Sequence, residues 1–283
     1  MKEFVLDYVS QASKDWKARP TIVTEGVQDA LILIFGDPRT AIFAHMDSIG
    51  YTVRYQDQLV PIGSPEAETG WSLVGEDSLG PVQCTLRVDD VGQLFYDFPR
   101  GLDRGTSLVF EPNTVIDDLF VTSPYLDNRL GVYSALRVAE TLENGAIVFS
   151  TYEEHGGGAV PFLLKYLYEQ HEIGQALISD ITWVTEGVSH GKGVAISLRD
   201  QNIPRRKFLD RVLALASQSE VPFQLEVESG GSSDGREVQQ SPYPIDWCFV
   251  GAPESNVHSP KECVHLDDIA SMIKMYRYLM AHL

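Results

Sequence analysis

Apolar and polar positions follow two different periods along the chain. Phe4, Val5, Tyr8, Val9 and Ala12 recur at helical spacing, which predicts an opening amphipathic helix closed by Pro20. Two short apolar runs follow, at 30–35 and 41–44, separated by Gly36-Asp37-Pro38-Arg39. That composition between strand-like runs predicts a hairpin with His45 at a strand end. From about 56 to 122 the texture changes. Glycine and proline recur, short alternating segments such as Thr85-Leu86-Arg87-Val88 and Gln93-Leu94-Phe95-Tyr96 appear, and no long helical pattern is visible. This stretch reads as a small all-β insertion.

Beyond Leu126 the two periods take turns. A helix at 129–143 leads to a strand at 146–151, a helix at 160–170 and a strand at 176–179. A strand at 194–198, a helix at 206–219, strands at 223–227 and 247–250 and a final helix at 266–282 complete the pattern. Strands alternating with helices of this length predict an α/β sheet covered on both faces. The expected organisation is a catalytic body, 1–55 with 123–283, interrupted by a β-rich domain at 56–122.

Composition narrows the function. The apolar share of 43% is ordinary for a folded chain of 283 residues, so a sizeable core is available. Against 22 Lys and Arg stand 40 Asp and Glu, a formal charge of −18. Such a surface repels phosphate backbones and anionic lipid, which sets aside nucleic-acid and polybasic membrane functions. Cys84, Cys248 and Cys263 are odd in number and lack Cys-x-x-Cys spacing, which argues against a disulfide framework or a thiolate zinc site and points to a reducing compartment, the cytoplasm. The first residues lack a secretory apolar core, and no run approaches the ~20 apolar residues of a membrane span.

The candidate chemistry sits where strands enter loops. His45 and Asp47 follow the AIFA run, Glu153 and Glu154 follow AIVFSTY, Asp180 follows ALIS, and His258 follows CFVGAPESNV. Asp127 opens the helix after SPYL. Ligands in open α/β sheets gather beyond strand carboxyl ends, and imidazoles with carboxylates suit a borderline divalent ion. Each residue taken singly has a plainer reading: a loop histidine at the surface, Asp127 as a helix N-cap, Asp180 as a turn closer. The Glu153-Glu154 pair is harder to dismiss, since adjacent carboxylates after an apolar strand repel each other unless a cation or proton relieves them. A solvated loop start is its plain alternative. Glycoside hydrolysis, which also uses paired carboxyls, is disfavoured because adjacent strand residues point to opposite faces.

Seven short motifs then occur in order: His45-Met46-Asp47-Ser48-Ile49-Gly50, Leu126-Asp127-Asn128-Arg129, Tyr152-Glu153-Glu154, Ser179-Asp180-Ile181-Thr182, Gly191-Lys192-Gly193, Gly230-Gly231-Ser232-Ser233-Asp234 and Val257-His258-Ser259-Pro260. From about Ala41 to the C-terminal helix, the series resembles that of the dinuclear-metal glutamyl and deblocking aminopeptidases, the tetrahedral aminopeptidases sometimes mislabelled endoglucanases. The resemblance implies a zinc-peptidase-like mixed sheet with a small inserted β domain, assembly into a homo-oligomer, and two divalent ions, zinc first, with cobalt or manganese as alternatives. It further implies that Asp127 bridges the two ions, that His45 and Asp180 complete one site and Glu154 and His258 the other, and that Asp47 orients His45. Glu153 would act as general base toward a water bridging the ions, and short peptides would be the substrates.

Some positions depart from the family pattern or compete with it. His155-Gly156-Gly157-Gly158 makes a flexible loop whose imidazole reads as solvent-facing, with substrate contact as the alternative. Glu254 reads as a surface carboxylate, or else as a group favouring basic or neutral residues. Glu186, six residues beyond Asp180, competes for the same ion. The expected activity is aminopeptidase; a related dinuclear amidohydrolase of deacylase or carboxypeptidase type, or a non-catalytic binding protein on the same fold, are the alternatives.

Overall fold

The apolar runs form strands buried on both faces. In the computed structural model, which describes residues 1–283, the strands Leu31–Phe35, Thr40–His45 and Gly145–Ser150 contain no exposed residue. Because side chains alternate across a strand, each contributes to two cores at once. Leu31, Leu33, Phe35, Ile42, Ala44, Ile147 and Phe149 pack with residues of the helices Leu126–Ala139, Arg206–Gln218 and Leu266–His282 on one face. Ile32, Ile34, Ala41, Phe43, Ala146 and Val148 pack with Leu163, Leu164 and Leu167 of the helix Val160–His171 on the other. Two buried faces explain why these strands read as continuous apolar strings rather than as alternation.

The main sheet has eleven strands, parallel in its centre and antiparallel towards its edges except for a side branch, where Val194–Arg199 and Phe223–Val227 pair in parallel. Gly145–Ser150, Thr40–His45, Gln175–Trp183 and Asp246–Ser255 lie side by side and run in one direction. The hairpin expected at 30–44 does not form. Gly145–Ser150 lies between the two strands, antiparallel to Leu31–Phe35 and parallel to Thr40–His45. Residues 36–39 therefore step over an intervening strand. Strings as apolar as these need partners on both edges, and a two-stranded hairpin leaves one edge of each open.

A second, six-stranded antiparallel sheet runs from the strand Gly50–Val53 to the strand Ser107–Phe110 and has its own core around Tyr51, Leu73, Leu86, Leu108 and Phe110. It begins before position 56, and it ends before 122: Val115–Ile116 and Phe120–Thr122 rejoin the main sheet beside Cys263–His265. Two strands also outrun their sequence limits, Gln175–Trp183 past 179 and Asp246–Ser255 past 250. The short helix Asp234–Gln240 was not expected at all. No helix is long and apolar enough to cross a membrane.

Candidate metal centre and active site

The predicted residues meet where the parallel strands end. His45 is the last residue of its strand. Asp180 lies inside the strand Gln175–Trp183 rather than after it, buried and paired with Gly251 of the neighbouring strand. Asp127 is the second residue of the helix Leu126–Ala139, yet its backbone is non-helical (φ −77°, ψ 105°) and the Asp127–Asn128 peptide is cis. Asn128, not Asp127, ties down the helix start: its side-chain oxygen accepts the Gly131 N–H at 2.8 Å and its amide donates to Ser179 O at 2.9 Å. That leaves the Asp127 carboxylate free for the cluster. A Cβ at Gly131 would lie 2.1 Å from Ser179 O and from Asn128 Oδ1, so only glycine lets the helix rest this close to the Asp180 strand.

Glu153 and Glu154 lie in a turn beyond the strand Gly145–Ser150. The opposite-face argument drawn from strand geometry therefore does not apply to them, and both side chains turn towards the same cluster. Asp127 is its centre. One carboxylate oxygen lies 3.0 Å from His45 Nε2 and the other 3.4 Å from His258 Nε2. His45 Nε2 is also 3.6 Å from Asp180 Oδ2, and His258 Nε2 is 3.3 Å from Glu154 Oε2. Two donor groups result, His45 with Asp127 and Asp180, and Asp127 with Glu154 and His258, each with ligand atoms within 4.8 Å of one another. Glu153 Oε2 approaches His45 Nε2 at 4.0 Å and belongs to neither. Glu186 is exposed and stands outside both groups.

Around the donors lies a shell of groups that hold them. The Asp47 carboxylate accepts the backbone N–H groups of Glu153 and Glu154 at 3.3 and 3.1 Å. Its own backbone oxygen faces His45 Nδ1 at 3.2 Å, nearer than its carboxylate at 3.6 Å. Asp47 thus fixes the glutamate turn as well as the imidazole. The sequence reading missed two further holders. Ser64, on the loop after the inserted sheet's strand Leu59–Ile62, brings its backbone oxygen to 3.0 Å from His258 Nδ1, which leaves Nε2 facing the cluster. Glu262 is fully buried and accepts the N–H groups of both His258 and Asp127. A glutamate four residues beyond the histidine was a visible signal; Ser64, on a separate sheet, gave none. Asp234, part of a quoted motif but assigned no role, is buried and accepts the Ser150 hydroxyl. At Gly63 (φ +68°) a Cβ would meet Glu154 O at 2.8 Å, so the same loop needs glycine to pass the site.

Electrostatics show how much negative charge is concentrated here. Burial, reinforced by neighbouring carboxylates against the pull of His45, pushes the Glu153 carboxyl up to about 8. Burial and Asp127 likewise push Glu262 up to about 8, and burial raises Asp234 to about 6. Burial would lower His258, but Asp127 and Glu154 outweigh it and raise the imidazole to about 11. Burial would also lower His45, yet Asp180, Asp127 and Asp47 hold it well above its usual range. Glu154 Oε1 and Asp234 Oδ1 are buried without a hydrogen-bond partner. A nitrogen and oxygen donor set without thiolate, carrying surplus negative charge and orphaned carboxylate oxygens, fits divalent cations.

Of two expectations at the edge of the site, that for His155 agrees with the structure and that for Glu254 does not. His155 is exposed, with Nε2 3.9 Å from Asp47 Oδ2. Glu254 is not a surface carboxylate. It is 1% exposed within the strand Asp246–Ser255 and neither of its oxygens has a partner. The strand continues further than its apolar run, and burial with Glu262 nearby raises the Glu254 carboxyl well above its usual range.

Fold and family together define a peptide hydrolase of the aminopeptidase class. The model of the M42 glutamyl aminopeptidase family matches residues 99–275, more than half of the chain, and the chain belongs to this family. It is 26% identical over 294 residues to a lysyl aminopeptidase of Pyrococcus furiosus, covering 87% of this chain and 82% of that one. Among solved structures it is similar to an aminopeptidase from the archaeon Desulfurococcus kamchatkensis, with a TM-score of 0.84 at 22% identity over 100% of this chain and 90% of that one. The TET1 peptidase of Pyrococcus horikoshii, described as assembling into a tetrahedron or a large octahedral shell, has a TM-score of 0.84 at 20% identity, covering 100% and 94%.

Proposed function

We propose that this chain is a metal-dependent aminopeptidase that removes N-terminal residues from short peptides. The observation that carries the reading is the pair of donor groups sharing Asp127. His45 and Asp180 would hold one ion, Glu154 and His258 a second, and Asp127 both; zinc suits these donors best, with cobalt or manganese as alternatives. Bound divalent ions polarise the scissile carbonyl and make water a stronger nucleophile near neutral pH. Glu153, beside both groups and ligating in neither, would take the proton from the attacking water and pass it to the leaving amine. Asp47 keeps Glu153 and Glu154 aimed by holding their backbone N–H groups.

A small pocket of about 90 Å³ opens beside Asp127 and Asp180 and is lined by Asp200, Glu226, Glu228 and Trp183. Its carboxylates favour neutral or cationic side chains over acidic ones. The net charge of −18 acts in the same direction. The assemblies of the structural neighbours support a homo-oligomer, and the three free cysteines suit a reducing compartment such as the cytoplasm.

Elemental analysis after reconstitution, followed by a panel of aminoacyl-anilides with added zinc, cobalt or manganese, tests the reading. Two ions per chain and release of unacylated, neutral or basic residues are expected. Fewer than one ion per chain would sink the site assignment, and cleavage of N-acyl substrates alone would make the enzyme a deacylase.

A further inference from the structure

A cavity of about 590 Å³ lies away from the acid cluster. The strand Thr40–His45 connects the two. Its first residue lines the cavity and its last belongs to the acid cluster, a separation of roughly 17 Å at ~3.3 Å per residue. The chain carries 22 Lys and Arg against 40 Asp and Glu, yet Lys17, Arg39, Arg211 and Arg277 all line this one cavity. Its acidic members are Asp37 and Glu143, and Glu143 is already paired with Lys17 at 2.6 Å.

Several donors there are held in place without being used up. Arg211 is anchored through Gln175 Oε1 at 3.1 Å and the backbone oxygens of His282 and Leu283 at 3.2 and 2.9 Å. Arg277 is anchored through Arg137 O and Glu140 Oε2, and its Nε is buried with no partner. Thr40, 3% exposed, has a buried hydroxyl that also lacks a partner. Arg39 is exposed and unpaired at the rim. Guanidinium forks match phosphate and carboxylate oxygens in bidentate geometry, and the volume falls within the few hundred to ~1,000 Å³ usual for small-ligand sites.

We propose that this cavity binds a small multivalent oxyanion, a phosphate or a polycarboxylate, held by Arg39, Arg277 and Thr40. Because the strand places it at the opposite end from the donor groups, its ligand is distinct from the peptide being cleaved. The proposal stands whether or not the chain hydrolyses peptides.

Titration calorimetry of the metal-loaded protein with inorganic phosphate and, separately, with tricarballylate tests it and distinguishes the two ligand types. One of them should bind once per chain, roughly tenfold more weakly in Arg39→Gln, whose side chain has no structural partner, and more weakly still in Arg277→Gln. Asp127→Asn, which disrupts the metal cluster, should leave this binding intact. Absence of binding by both probes overturns the proposal. So does binding that survives both arginine substitutions, or binding lost only in Asp127→Asn, which would place the anion on the metal ions. If neither probe binds and Arg39→Gln instead changes the sedimentation of the assembly, the cavity is an interface between copies and the proposal fails.

Discussion

The two donor groups share one aspartate and differ in how they are built. His45, Asp127 and Asp180 are 2%, 8% and 6% exposed, and two of the three stand on central strands of the main sheet. Glu154 sits in a turn, and His258, whose side chain is 22% exposed, follows a strand end and is steadied by Ser64 from the other sheet. Strand-borne ligands are fixed by the same packing that fixes the core, whereas loop-borne ligands move at lower free-energy cost. If the groups hold ions as proposed, the first would exchange its ion slowly, while the second would be reached by way of His258, since the Glu154 side chain is itself only 3% exposed.

Removing what the groups share should have the largest effect. Asp127→Asn is expected to lose both ions and nearly all turnover; retention of one ion per chain, measured by elemental analysis, would show that the groups are independent. Glu153→Gln comes next, with an expected fall of roughly 10²–10⁴-fold in kcat and both ions kept; parental activity would remove its role as base. Asp47→Asn should weaken metal affinity by about 10–100-fold. Because Asp47 contacts His45 in one group and the Glu154 backbone in the other, competition with a chelator should show both ions affected, and an effect confined to one would redraw the comparison.

The smallest effect concerns the ion-free protein. Glu262 and Asp234 are pushed up to about 8 and about 6, against unfolded values near 4.3 and 3.9. Between those limits the folded state binds more protons than the unfolded one, so stability is fullest at low pH and declines as pH rises. The Tm of chelated protein should fall from about pH 4 to pH 8, with a shallower slope when ions are restored. A Tm that climbs across this range would contradict the assigned burial.

The sequence made the first donor group easier to read than the second group's supports. His45 and Asp180 sit on apolar strings whose double burial is written into their composition, so their place on the functional rim followed from residue order. Asp127 was legible as a helix opener, but not the role of Asn128 in freeing it, which depends on the Ser179 carbonyl of another strand. The glutamates were found while their local geometry was misjudged, since nothing in AIVFSTY marks where the strand gives way to a turn. Glu254 went astray for the converse reason: polar residues after an apolar run read as a loop, while pairing with the Asp180 strand on one side and Val264 on the other keeps the chain extended and buried. Ser64 and Glu262 act through contacts that only the folded chain creates.

The strand that separates Leu31–Phe35 from Thr40–His45 also sets a timetable. During synthesis these two apolar strands emerge early, but their shared neighbour, Gly145–Ser150, is made about a hundred residues later. At ribosomal rates of ~5–20 residues per second that is a wait of roughly 5–20 s. Throughout it, two strands, each buried along its full length in the folded chain, lack the neighbour they will share, and unpaired strand edges of this kind are prone to aggregate. The newborn chain therefore passes through this interval with only His45 and, towards its end, Asp127 of the two donor groups made.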